Sequence, residues 1–470
     1  MELMYDSKKV KKELNILISA YPLVATIIAD IDNNGGISYL VGGAVRDLIL
    51  GLPVKDLDIE IHKLSLDALE TILQKYGYVN KVGKVFGVMR LENLDIDWSI
   101  PRSDASGRKP HVVIDPWMDI KQAFERRDLT MNAMGINLIT GELVDPFNGL
   151  EDIQHGVLRA PNPALFIEDP LRFYRVMQFI ARFDMKPDRI LTMLCSTMDI
   201  SKVSHERIET ECKKWLLKSK KPSQSLQWLD SISRLYDVFP EVAATKGILQ
   251  EPDWHPEGDV FEHTKESLDA AAALNYEDDE ERLIILYAAL CHDLGKTVTT
   301  QLKKGRLTSH DHSAKGIPIA KALLKRITHN KALIDAVVKL VDVHLYPPQF
   351  IKGDAKSGAY KRLALRLAPA ITLVMLAKLS LADRQGRNPQ RGTPLKHNEP
   401  IIEEFLKKAH DAGVATGVEK PILLGKDLMP EIQPGPEMGL LVKEAYALQL
   451  QEGIQDKALL KKLVLKKHLE

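Results

Sequence analysis

Cysteine is scarce in this chain. Only Cys195, Cys212 and Cys291 occur in 470 residues. They are odd in number and far apart, which excludes a disulfide framework and zinc-type cysteine spacing and suits a reducing cytoplasm. Net charge is missing as well, with 64 Lys+Arg against 64 Asp+Glu. The whole-chain charge therefore announces no nucleic-acid partner, and any basic surface must be local. Long apolar runs are also lacking: no segment reaches the ~18 to 20 apolar residues a membrane span requires. The opening MELMYDSKKVKKEL has no uninterrupted apolar stretch followed by a small-residue cleavage site, so no secretory signal is expected there. Internal repeats and low-complexity segments are absent too. These absences together predict a soluble, cytoplasmic protein with no membrane partner.

What is present is enough apolar residue, 45%, to build real cores, in a chain longer than one core usually organises. Two to four domains or subdomains are expected. The first ~150 residues, a common domain size, mix short β-like runs with turns. SYLVGG, LDIEIHK, VFGVMRLE, LDIDWSI, AMGINL and LVDPF read as strands of a small sheet. After Pro163 the pattern turns helical, with Leu171, Val176, Phe179, Ile180 and Phe183 at near-helical spacing. Prolines and glycines in LQEPDWHPEGDVF mark a boundary near residue 250, and RQGRNPQRGTP marks a loop near residue 394. Lys461, Lys462, Lys466 and Lys467 make a local basic cluster, which reads first as a solvated helix face.

In YLVGGAVRDLILGLPVKDLDIEI an apolar strand runs into Gly42 and Gly43, a helix begins, and a second strand carries Asp56 and Asp58. Paired glycines permit close backbone approach to a triphosphate, and N–H groups at a helix start favour anions. Residues i and i+2 of a strand share a face, so Asp56 and Asp58 converge. Such a pair is costly without a cation, and Mg²⁺ accepts a few carboxylates plus waters and substrate phosphates. Two-metal phosphoryl transfer needs that arrangement. Each fragment alone reads first as ordinary structure, the glycines as a hairpin turn and the paired aspartates as a solvated strand edge. Asp95 and Asp97 in LDIDWSIPR share another strand face, and Asp97, nearer the turn at Arg102, is the candidate third carboxylate. In FERRDLTMNAMG, Arg126, Arg127 and Asp128 form a polar cluster. Arginines there can clamp phosphates and Asn132 can bond a sugar hydroxyl, unless the string is simply a capped helix start.

FIEDPLRFYRVMQF places Asp169, Arg172 and Arg175 three apart on one helix face, beside Glu168. Spacing alone reads first as a salt-bridge ladder. A carboxylate that only accepts and a guanidinium that only donates can also match the mixed edge of a base. VSHERIETE offers Ser204 as a helix cap, with Glu206 behind it and Arg207 and Glu211 one turn apart. Further on, His263, His292-Asp293, His310, His312, His344 and Asp383 crowd one region, with Lys296 near the pair. Imidazole and carboxylate together suit a transition metal or Mg²⁺.

With these residues in view, LVGGAVRDLILG, KDLDIEI, RRDLTMNAMG and GELVDPFNGLED resemble, in order, the class II nucleotidyltransferases, which comprise CCA-adding tRNA nucleotidyltransferases and bacterial poly(A) polymerases. The resemblance implies that Gly42, Gly43, Arg46 and Asp47 form the nucleotide-binding loop. It makes Asp56 and Asp58 the catalytic carboxylates that hold Mg²⁺, beside Asp97 as the candidate third catalytic carboxylate read from its strand. It also implies that Arg102, Arg127, Asp128 and Asn132 contact the nucleotide, and that RSDASGRKPHVV is a mobile loop. EDPLR is similar to the family element in which an Asp and an Arg serve as a protein template for C and A, here Asp169 and Arg172, with Arg175 as a further contact. VSHERIETE resembles the family's helical neck. His263, His292, Asp293 and Asp383 resemble the ligands of HD phosphohydrolases, attached to some bacterial CCA-adding enzymes. That implies metal-assisted hydrolysis of 2′,3′-cyclic phosphates and 2′-nucleotides, with His310, His312 and His344 serving a second metal or the phosphate. The segment from Pro421 to Gly453 resembles an RNA-binding tail.

The expected fold is α+β: a small mixed β-sheet nucleotidyltransferase head, then an all-α body, an HD domain and a helical tail. The expected divisions are residues 1–160, 161–250, 251–394 and 395–470. The resemblance implies addition of CCA to tRNA from CTP and ATP without a nucleic-acid template, plus phosphohydrolase activity. A poly(A) polymerase, a CC- or A-adding specialist and an RNA-binding phosphohydrolase are the alternatives.

Overall fold

The computed structural model describes residues 7–54, 56–81, 87–92, 94–105, 111–390 and 392–469. It has the α+β composition expected, and it divides into two compact units, Met1–Val203 and Ser204–Glu470.

In the first unit, β-branched and aromatic runs make β1 (Ile37–Val41), β2 (Leu57–His62), β3 (Val79–Lys81), β4 (Val88–Leu91), β5 (Ile96–Ser99), β6 (Gly135–Asn137) and β7 (Leu143–Val144). They form one sheet in the order β3-β4-β5-β2-β1-β6-β7. Only β2 and β5 run parallel, and their register sets Asp58 opposite Asp97. Along β2 the alternation is strict in effect: Leu57, Ile59 and Ile61 face the core, while Asp58, Glu60 and His62 share the other face. Leu40, Ile59, Trp98 and Ile136 are among the fully buried side chains beneath this sheet, while Phe124 packs on its other face against Val41.

Two helices not expected from sequence, Ser7–Ser19 and Pro22–Asn33, precede the sheet. Arg102–Ala105 and His111–Ile114 pair as an antiparallel ribbon, so the flanks of the expected mobile loop are strands, and residues 106–110 lie outside the described residues. Helix α1 (Gly43–Ile49) follows β1 directly, and helix α2 (Leu171–Phe183) carries EDPLR at its start. Val176, Phe179 and Ile180 are buried as their spacing predicts, whereas Leu171 and Phe183 are half-buried. The helix stops at Asp184, which turns left-handed at φ 57°.

The second unit is helical apart from one hairpin, Gln301–Lys303 with Arg306–Thr308. Its histidine section is built from α3 (Val260–Ala272), α4 (Asp279–Cys291), α5 (His312–Ile327), α6 (Lys331–Val343) and α7 (Leu373–Gln385). Four of these have side-chain caps: Asp259, Asp278, Asn330 and Thr372 accept from backbone N–H groups of the first turns. At the neck motif Ser204 occupies the cap position of His205–Lys218 without such a bond to the helix backbone. The tail helices Pro436–Glu452 and Lys457–Leu469 pack through Leu441, Ala445, Leu460 and Val464 against Leu423 and Leu428. In the basic cluster Lys461 pairs with Glu431 at 3.0 Å, Lys462 and Lys466 are exposed, and the Lys467 side chain lies outside the described residues. Among the described residues no single helix is long and apolar enough to cross a membrane.

Candidate active sites

Between the open face of β2 and the start of α2 lies a cleft of about 470 Å³. Asp58, Glu60 and Asp97 form its acidic end, and Arg102, Arg126, Arg127, Arg172 and Arg175 its basic side, with Asp128 and Asp169 among them. Asp56 falls one residue before β2, not within it. It is exposed and shares a smaller adjoining recess with Asp58, Asp95 and Asp97. Burial pushes the Asp58 carboxyl up; Arg127 pulls against it, and Asp97 and Asp56 add to the push. Arg90 ion-pairs with Asp97 and, at 3.5 Å, with Asp95. A guanidinium drawn into this group shows that it attracts a cation. An all-oxygen donor set suits Mg²⁺.

Gly42 joins β1 to α1 at φ 70°, ψ −133°, a conformation closed to most side chains. A Cβ there would fall 2.8 Å from Arg127 Nη1. Arg127 Nη2 lies 3.5 Å from Glu60 Oε2, its ring neighbour is Phe124, and its buried Nε has no hydrogen-bond partner among the described residues. Such an orphaned donor in a cleft wall fits an anionic ligand.

Arg46, Asp47, Asn132 and Asp128 are not wall residues in the same sense; they interlock behind the cleft. Arg46 Nε donates to Asp47 Oδ1 at 2.8 Å and Nη1 to Asn132 Oδ1 at 2.7 Å, while the guanidinium lies over the Phe179 and Phe183 rings. Asn132 Nδ2 donates to Asp128 Oδ1 at 2.9 Å, and Arg175 Nε donates to Asp128 Oδ2. Burial opposes ionisation of Asp128, but Arg175, Asn132 and Arg172 outweigh it and hold its carboxyl below the usual range. The Arg126–Asp128 string sits at the end of helix Ile120–Glu125, not at a helix start. Asp169 Oδ1 accepts from Leu171 N at 3.1 Å, which caps the first turn of α2. Arg172 donates to Leu165 O at 2.9 Å and to Arg126 O.

In the second unit four imidazoles and two carboxylates converge. His263 rises from α3, His292 and His344 end α4 and α6, His312 opens α5, and Asp383 lies on α7. His263 Nε2 lies 3.2 Å from His292 Nε2 and 3.1 Å from Asp383 Oδ1. His312 Nε2 lies 3.2 Å from His344 Nε2. Asp293 stands between: its Oδ2 is 3.4 Å from His292 and 3.6 Å from His263, and its Oδ1 is 3.3 Å from His312 and 3.9 Å from His344. His310 is exposed and outside these groups.

The outer nitrogens explain the orientation. Nδ1 of His292, His312 and His344 bonds the carbonyls of Ala289, Ser309 and Val341 at 2.8, 2.8 and 2.7 Å, and Nδ1 of His263 lies 2.6 Å from Glu257 Oε1. A proton on each Nδ1 leaves each Nε2 as an acceptor aimed inward. Two acceptors 3.2 Å apart repel unless a proton or cation lies between them. Burial, with His312 and His292, pushes His344 down to about 3, so it is neutral at pH 7. Burial likewise opposes protonation of His263, but Asp383 and Glu257 draw it toward the charged form. Described residues thus form three groups able to hold a metal ion: His263/His292/Asp293 and Asp293/His312/His344 at this centre, and His255/Glu257/His263 beside it.

Gly295, in the HDLGK string, makes the second group possible. A Cβ there would fall 1.9 Å from His312 O, so only glycine lets this loop approach α5. Sequence reasoning passed over Glu60, Arg90 and Glu257. The first was legible, because it continues the alternation of Asp56 and Asp58. The other two had no local signal, since their partners lie on other elements.

Residues 38–159 match the poly A polymerase head domain, and residues 260–384 match the HD domain. A multifunctional CCA protein of Tolumonas auensis is 32% identical over 412 residues, spanning 82% of this chain and 92% of that protein. The chain belongs to the multifunctional CCA protein family. The family member of Mannheimia succiniciproducens is 31% identical over 431 residues, covering 89% of this chain and 92% of its own. A CCA-adding enzyme of Bacillus stearothermophilus, solved in complex with CTP, shares the fold at TM-score 0.64 and 19% identity, covering 94% of this chain and 96% of its own. The Thermotoga maritima CCA-adding enzyme complexed with tRNA does so at 0.58 and 20%, covering 99% of each chain. Membership accords with a nucleotidyltransferase head joined to an HD domain.

Proposed function

We propose that the chain adds CCA to the 3′ end of tRNA from CTP and ATP, in the cytoplasm and without a nucleic-acid template. The observation that carries this reading is one cleft lined both by the carboxylates Asp58 and Asp97 and by Asp169 and Arg172. Reacting phosphate and selected base would occupy its two ends. The family's name supports CCA over other additions.

In this reading Asp56, Asp58 and Asp97 would hold Mg²⁺, whose charge would offset that developing on the phosphoryl oxygens. The terminal hydroxyl oxygen of the RNA gives up its proton to solvent and bonds to the α-phosphorus of the nucleotide while the bond to the bridging oxygen breaks and pyrophosphate leaves. Arg127, Arg102 and Arg175 bind the triphosphate by charge-assisted hydrogen bonds. Gly42 and Gly43 admit it closely, while Arg46, Asp47, Asp128 and Asn132 fix the arginines and the sugar side of the cleft. Asp169 accepts from, and Arg172 donates to, the edge of the base.

The working division is residues 1–160 for the catalytic head, 161–250 for the nucleotide-selecting body, 251–394 for the HD domain and 395–470 for an RNA-binding tail. In the HD domain His263, His292, Asp293 and Asp383 would hold one divalent metal, and Asp293, His312 and His344 a second. The nitrogen-rich donor set favours a transition metal over Mg²⁺. Such ions supply Lewis acidity to a phosphoester, so 2′,3′-cyclic phosphates and 2′-nucleotides are the substrates assigned to this centre.

The test offers purified protein a tRNA lacking its terminus, with CTP and ATP separately and together. CTP alone is expected to add only C residues, and both together a complete CCA. Long A tracts from ATP alone would replace this reading by a poly(A) polymerase, and extension by a single nucleotide type by a CC- or A-adding specialist.

A further inference from the structure

The segment entering the histidine centre carries an aromatic side chain that no core uses. Trp254 is 59% exposed and directly precedes His255, whose ring lies 4.7 Å from that of His263. Lys352 Nζ stands 5.5 Å from the indole centroid. Lys296 Nζ spans from Asp293 Oδ2, at 2.7 Å, to Gln250 Oε1, at 2.7 Å, and to within 3.5 Å of His255 Nε2. A continuous series of side chains therefore leads from Asp293 outward to the turn bearing Trp254.

The same turn anchors the hairpin Gln301–Lys303/Arg306–Thr308. Glu251 O accepts from Trp254 N at 3.0 Å and from His255 N at 2.9 Å, while Glu251 Oε2 accepts from Leu307 N at 3.1 Å. On that hairpin Lys303, Lys304 and Arg306 are exposed. With Lys352 they outnumber the nearby Glu251 and Asp253. A local cationic surface thus sits on a chain with no net charge.

We propose that Trp254, Lys352 and this hairpin form a platform for the single-stranded end of an RNA entering the histidine centre. The indole face stacks one base, and the hairpin cations take backbone phosphates. Duplex RNA keeps its bases stacked inside and would leave the indole without a partner. An acidic peptide would use the cations and ignore the indole. The inference rests on the reading of the centre as a phosphohydrolase.

The experiment uses the full-length, metal-loaded protein and three measurements: anisotropy of a short labelled RNA ending in a 2′,3′-cyclic phosphate, its hydrolysis, and hydrolysis of bis(p-nitrophenyl) phosphate. Trp254→Ala is expected to weaken RNA binding and raise KM about 5- to 150-fold, the range for loss of one stacked base. Hydrolysis of the small substrate and nucleotide transfer by the head should stay at wild-type values, and Trp254→Phe should retain most of the affinity. Replacing Lys303, Lys304 and Arg306 by Ala should flatten the dependence of log affinity on log salt by about two. RNA affinity within twofold of wild type in Trp254→Ala overturns the platform, as does parallel loss of small-substrate hydrolysis. If the wild type hydrolyses neither substrate while Trp254→Ala still loses RNA affinity, the platform stands and the phosphohydrolase reading falls.

Discussion

Replacing Gly42 by alanine tests how the turn between β1 and α1 serves the cleft. A side chain at φ 70°, ψ −133° carries backbone strain of about 1–3 kcal/mol. Its Cβ would also fall 2.8 Å from Arg127 Nη1 and 3.8 Å from Asp58 Oδ2. The guanidinium tip can swing away, but it then leaves Glu60 and the cleft wall. Loss of one charge-assisted hydrogen bond to a phosphate costs about 1.5–3 kcal/mol, or roughly 10- to 150-fold in kcat/KM for CTP. The matched control is Gly43→Ala, where the φ is ordinary and the nearest atom is the Arg46 tip at 3.3 Å. Hydrogen exchange of Ile37–Val41 amides measures the strain, and about 2 kcal/mol speeds it roughly 30-fold. Steady-state transfer kinetics measure the Arg127 effect. Gly42→Ala with the exchange and kcat/KM of Gly43→Ala would refute the reasoning.

Four further outcomes are expected. Asp56→Ala with Asp58→Ala should abolish nucleotide transfer and leave phosphoester hydrolysis intact; loss of both would refute the separation of the two chemistries. Asp169→Ala with Arg172→Ala should remove CTP-versus-UTP discrimination, and retained selectivity in competition assays would refute the template role. Removing metal with a chelator should end phosphodiester hydrolysis, and His312→Ala should lower metal stoichiometry by elemental analysis; unchanged hydrolysis in stripped protein counts against the assignment. Asp269, buried and hydrogen-bonded by Ser223, is pushed up to about 6 by burial. Its folded-state pKa exceeds the ordinary aspartate value of 3.8, so its favourable contribution is fullest below pH 4 and is lost as pH rises through 6. The stability of wild type relative to Asp269→Asn should therefore fall by about 3 kcal/mol between pH 4 and 7. A pH-independent difference in denaturant unfolding would refute it.

Local pattern carried the strands and the polar strings because periodicity and turn residues act over a few positions. β1, β2, β4, β5 and β6 lie where alternating apolar runs put them, and the histidines other than His310 come together. What stayed hidden depends on distant partners. The register that sets Asp97 opposite Asp58 is decided by β2 and β5 pairing in parallel across 38 intervening positions. The resemblance puts Arg46 in the nucleotide-binding loop, and no local pattern foretells that its guanidinium lies over Phe179 and Phe183, far along the chain. The role of Gly295 depends on a distant helix, because its missing side chain admits the carbonyl of His312. The helix Ser7–Ser19 carries a short apolar stripe, Val10, Leu14 and Leu17 at helical spacing among charged residues, and of these Val10 and Leu14 are buried.

The interlocked series Asp47, Arg46, Asn132, Asp128 and Arg175 has a consequence for anyone recombining this protein. Arg46 and Asp47 pair with each other, but Arg46 is tied to Asn132, and Asp128 is neutralised by Arg175 from a distant stretch, so none of the stretches is a portable cassette. A hybrid joined between positions 132 and 175 inherits Asp128 from one parent and its guanidinium from the other. A mismatch there would strand a carboxylate in the interior, where an unpaired charge costs several kcal/mol. Crossovers should be tolerated only where both halves of that handshake arrive from the same parent.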